Sequence, residues 1–142
     1  MSEVEKLYEL AEIKKQYCGW LDMGDLDCQM QYVTCNSISE WKEAVFSSRF
    51  SESEEEPELK YPPFTAEKQL ELIKWLAKRQ DFGLNYYPNS EVWDAQTQFS
   101  WESYCKTYEH EEFEQALAGL INILWQDLKE EEKETIRGIL RT

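Results

Sequence analysis

A chain that carries a net charge of −14 folds only if it also holds large apolar side chains, and this one has six Trp, eight Tyr and six Phe among 142 residues. Those rings bury enough surface to offset chain entropy, which a disordered acidic tail of similar charge cannot do. A globule of this length buries roughly two thirds of the surface its unfolded chain exposes. The expectation is therefore one domain over 1–142, interrupted by an acidic, Pro-containing loop or linker at 51–63, where five glutamates occur between Ser51 and Glu58 with no apolar residue.

Turn-forming residues decide the fold class at this level. Only five Gly and four Pro are present, too few for a small all-β domain with many tight turns. Apolar spacing agrees. Val4, Leu7, Tyr8 and Ala11 predict a helix over 2–18, capped by Ser2 and ended by Gly19. Ser37 with Glu40 is a capping-box pattern that starts a helix over 39–50 with Trp41, Val45 and Phe46 on its inner face. Thr65 caps a third helix through Leu70, Ile73 and Leu76 toward Gly83. Asn85 to Ser90 predicts a loop, followed by a helix from about 90 to 108. Phe113, Leu117, Leu120, Ile121, Leu124 and Leu128 trace a long amphipathic helix, and Asp127 with Glu130 caps a last one through Arg141. The reading is an all-α, single-domain bundle of about five helices with a C-terminal helical hairpin. The alternative is an α+β fold with a small two-stranded element from 26–34 and 92–101, because Leu26, Cys28, Met30 and Tyr32, and Trp93, Ala95, Thr97, Phe99 and Trp101, alternate with the period of a strand.

The charge selects partners. With 29 Asp and Glu against 15 Lys and Arg, the surface repels nucleic acid and anionic lipid and favours a basic protein surface. The start Met1-Ser2-Glu3-Val4-Glu5 is acidic and lacks the apolar run of a signal peptide. The four cysteines (Cys18, Cys28, Cys35, Cys105) form no C-x-x-C pair, and the reading is reduced thiols in a cytoplasmic protein.

The segment 81–108 is the candidate binding surface. Its rings offer rigid contact area with polar tips, and its acids suit an Arg- or Lys-bearing partner. The residues chosen for that surface are Tyr86, Tyr87, Glu91, Trp93, Asp94 and Trp101, with Tyr86 and Tyr87 exposed in a loop beside Pro88. The competing expectation is that most of these rings fill the interior.

Other chemistry has little support. His110, the one histidine, with Glu114 four residues on is a weak metal pair that lacks further ligands. Asp22, Asp25 and Asp27 around Gly24 depart from the calcium-loop spacing. Asp81-Phe82-Gly83 lacks the other parts of a kinase. No G-x-S-x-G elbow and no Gly-rich phosphate loop occur. No cofactor is expected. The leading expectation is a non-enzymatic acidic protein that binds a basic partner. The alternatives are a phage-type inhibitor that mimics nucleic acid and a small enzyme using carboxylates or a metal.

Overall fold

The computed structural model describes residues 1–22, 30–48, 57–79, 81–98 and 105–141, and it overturns the all-α expectation. Among these residues five helices accompany two three-stranded antiparallel sheets, an α+β fold. In chain order the elements are α1 (Glu3–Leu10), β1 (Gln16–Asp22), β2 (Met30–Cys35), α2 (Ile38–Ser47), β3 (Glu58–Lys60), α3 (Ala66–Arg79), β4 (Asp81–Tyr87), β5 (Val92–Gln98), β6 (Cys105–His110), α4 (Phe113–Leu124), a 3-10 turn (Trp125–Asp127) and α5 (Glu130–Arg141). They form two compact units, one made of Lys14–Pro62 and the other of Met1–Ile13 with Pro63–Thr142. No helix of the described residues is long and apolar enough to cross a membrane.

Helix α1 stops well before Gly19. Ser2 caps it by accepting the Glu5 N–H at 3.1 Å. At the other end Glu12 takes the left-handed conformation, with φ 58°. The Glu12 N–H then reaches the Glu9 carbonyl and the Ile13 N–H the Tyr8 carbonyl, both at 3.0 Å. That pair of bonds is the Schellman ending normally built on glycine, so a glycine-based reading looked for the stop too late. Gly19 lies inside β1, and Gly83 lies inside β4 rather than after α3.

In the Lys14–Pro62 unit the strand order is β2-β1-β3. Helix α2 packs on β1 and β2. Leu21, Cys35 and Trp41 form the core, bordered by Tyr17, Val33, Ala44 and Val45. Ser37 accepts the Glu40 N–H at 3.2 Å, while the Glu40 carboxylate takes the Asn36 N–H at 3.0 Å. The capping box therefore starts α2, with its return bond shifted back by one residue. Strand β2 covers the second half of the expected 26–34 strand and pairs with β1. It does not pair with 92–98, which lies in the other sheet. Residues 23–29, with Asp25 and Asp27, and the acidic run 51–56 lie outside the described residues; Asp22 is buried in β1.

The second unit replaces the expected 90–108 helix with a meander in the order β4-β5-β6. Its first turn needs no glycine. The Ser90 N–H closes on the Tyr87 carbonyl at 3.2 Å, with Pro88 in the position that favours proline, and Glu91 supplies the left-handed residue at φ 53°. Tyr86 and Tyr87 are thus the end of β4, not a loop. Helix α4 packs on β5, β6 and α1, and α5 packs on α3, so the expected C-terminal helical hairpin is replaced by separate dockings. The apolar stripe of α4 makes the core, with Leu117, Leu120, Ile121 and Leu124 fully buried. Arg137 of α5 donates to the Ala11 carbonyl at 3.2 Å and lies over the Trp125 ring at 5.9 Å.

Candidate functional site

The two-residue period of a strand sorts the meander into two faces. Register places Tyr86 opposite Trp93 and Trp93 opposite His110 on one face; Asn85, Asp94 and Glu109 line up across the other. The sequence candidates therefore divide between faces. Trp93 is wedged between Tyr86, centroid 5.0 Å away, and Phe113 of α4, edge-on at 5.1 Å. Trp93 is half-buried and belongs to the helix-covered side, and it leaves Tyr86 exposed at its rim.

Tyr87, Asp94 and Glu109 make the other cluster. Asp94 is only 4% exposed, whereas Tyr87 is 44% exposed and Glu109 lies at the surface. The Tyr87 hydroxyl donates to Asp94 Oδ2 at 3.4 Å. Asp94 Oδ1 is buried without a hydrogen-bond partner among the described residues. The negative charge of Asp94, then burial, the shared hydrogen bond and the field of Glu109 push the Tyr87 phenol above its ordinary value of 10. Two carboxylates set directly opposite on neighbouring strands repel one another. Among the described residues neither is in an ion pair, although Glu3, Glu58, Glu71, Asp127, Glu130, Glu132 and Glu134 each have a cation within 4.0 Å. Glu91 sits exposed at the hairpin turn.

The metal pair comes apart into different elements. His110 ends β6, where its Nδ1 accepts the Glu112 N–H at 2.9 Å and its ring stacks on Tyr108 at 6.5 Å. Glu114 lies in the first turn of α4. Among the described residues no group of three or more His, Cys, Asp or Glu side chains could hold a metal ion. Trp101 lies outside the described residues.

Sequence reasoning passed over Glu109 as a partner of Asp94. The signal was the alternation of Thr107 and Glu109 with Tyr108 and His110, which straddles the end of the stretch read as a helix to about 108. It also passed over Trp20, 59% exposed and edge-on to Tyr32 at 5.4 Å on the first sheet. Comparison of the chain with protein-family models, curated proteins and solved structures returns no match.

Proposed function

We propose that this chain is a non-enzymatic binding protein whose β4–β5–β6 face receives a cationic side chain of a basic partner protein. What carries the reading is the pairing of Asp94 with Glu109, two carboxylates that no cation among the described residues pairs, beside the exposed ring of Tyr87. A guanidinium suits that geometry because it bonds carboxylates in a fork and stacks on an aromatic face. Glu109 and Tyr87 make the outer contact, and the field of Asp94 acts from behind them. The overall charge of −14 draws a basic partner over longer distances.

The test is titration of the isotope-labelled protein with a hexa-arginine peptide, followed by amide chemical shifts at low and high salt. The expected result is a shift set centred on Tyr87, Asp94 and Glu109 that Glu109→Gln weakens and salt reduces, since screening acts on such pairs. Shifts spread evenly over the acidic surface, or affinity unchanged by salt, count against the proposal.

A further inference from the structure

The start of α3 holds a second feature, independent of the sheet face. Thr65 accepts the Lys68 N–H at 3.3 Å, and the Gln69 side chain donates to the Phe64 carbonyl at 2.9 Å, which fixes the entry to the helix. Lys68 then falls on the inner stripe, one turn before Leu72 and two before Leu76, both fully buried. A pocket of about 250 Å³ opens here, lined by Thr65, Glu67, Lys68, Leu70 and Glu71. Lys68 is 5% exposed, and no carboxylate pairs with its ammonium among the described residues; Glu71 pairs with Lys74 instead, at 3.5 Å. Lysine is almost never this buried without an anion. Burial pushes its amine below the ordinary value of 10.5. A desolvated lysine of this kind is the form that acts as a nucleophile.

We propose that this pocket binds a small neutral aldehyde or ketone and that Lys68 anchors it as an imine. The neutral amine adds its lone pair to the carbonyl carbon, forming a C–N bond, and a proton moves from nitrogen to oxygen to give the carbinolamine. Glu67, on the same pocket wall, relays a proton to the hydroxyl, which leaves as water while the nitrogen lone pair forms the C=N bond. The sum is amine plus carbonyl plus one proton giving iminium plus water. Glu67 and Glu71 disfavour an anionic keto acid in the same space.

Propanal with cyanoborohydride reduces any imine to a stable propyl-lysine, and peptide mapping of the full chain locates it. The expected result at neutral pH and limiting propanal is that Lys68 is alkylated ahead of Lys6 and Lys74, which are exposed and ion-paired. The N-terminal amine is a second amine type that reacts with aldehydes and is counted apart. Lys68→Arg loses that adduct and keeps the others. Alkylation of Lys68 no faster than that of Lys74 overturns the proposal. Pyruvate labelling Lys68 as fast as propanal overturns its neutral-ligand part.

Discussion

The ring of Tyr108 in β6 occupies the space that a side chain on Gly119 of α4 would need. The same device recurs in the other unit with the roles exchanged: Gly19 is on the strand, and the Trp41 ring of α2 comes within 2.6 Å of where its Cβ would be. In each case the missing Cβ lets a helix approach its sheet closely, and an aromatic ring seals the gap.

Gly119→Ala therefore has two opposed effects. Alanine favours the helix by about 1 kcal/mol, but overpacking against the Tyr108 ring, which would have to shift, costs about 1–3 kcal/mol. The expected outcome is a net loss, read as a lower urea midpoint. Gly138→Ala in α5 is the control, since nothing lies within 4 Å of its Cβ position. It is expected to raise stability by about 0.5–1 kcal/mol.

The Arg79–Glu132 pair ties α3 to α5. Burial alone would raise the Glu132 carboxyl; the Arg79 hydrogen bond, the Lys129 N–H and the nearby positive charges outweigh it and hold the group below its ordinary value of 4.5. Its contribution is therefore full above pH 4.5 and lost as pH falls through the lower folded value. Glu132→Gln is expected to cost about 1 kcal/mol at neutral pH. The difference from the parent chain closes in acid, which a series of denaturant melts across pH measures.

Tyr8 is 1% exposed, and burial pushes its phenol up to about 12. The unfolded chain releases that proton near 10, so stability present below pH 10 is lost as pH rises toward about 12. The slope is on the order of 1.4 kcal/mol per pH unit. Tyr8→Phe removes this component, and its alkaline denaturation curve is expected to be flatter by that amount.

Asp94→Asn separates binding from stability. Removing one of two facing carboxylates relieves their repulsion and lets an amide donate to Glu109. The expected change is a gain of about 0.5 kcal/mol in the folded chain, together with a fall in the Tyr87 phenol toward 10 and weaker binding of hexa-arginine. Chemical denaturation, spectrophotometric tyrosine titration and peptide binding read the three effects. A stabilised variant that loses affinity is the pattern of a surface kept under strain for a partner.

Sequence pattern located the helices whose signal is local. The Ser2 and Ser37 caps, the buried stripe of α4 and the charge layout of α5 all rest on neighbours within a turn or two. Strands β4, β5 and β6 depend on partners across the sheet, so Trp93, Ala95 and Thr97 alternated without showing what they alternated against. The scarcity of glycine misled twice, because Glu12 and Glu91 adopt the left-handed conformation reserved in the reading for glycine. The binding candidates were found as a segment, but their division between two faces follows from register, and Asp94 acquires its neighbour Glu109 only once β5 and β6 pair.

Glu3 in α1 accepts a bond from Asn122 of α4 on its carbonyl at 2.9 Å, across 119 positions of chain. Everything between Lys14 and Pro62 belongs to the other unit, which is contiguous. During synthesis that inner piece emerges with all its strands to hand, while α1 must wait, its apolar stripe uncovered, until α4 has left the ribosome. Slow closure of distant contacts is the general rule, and here it leaves α1 waiting for its seat with an apolar face to be shielded from aggregation on the way.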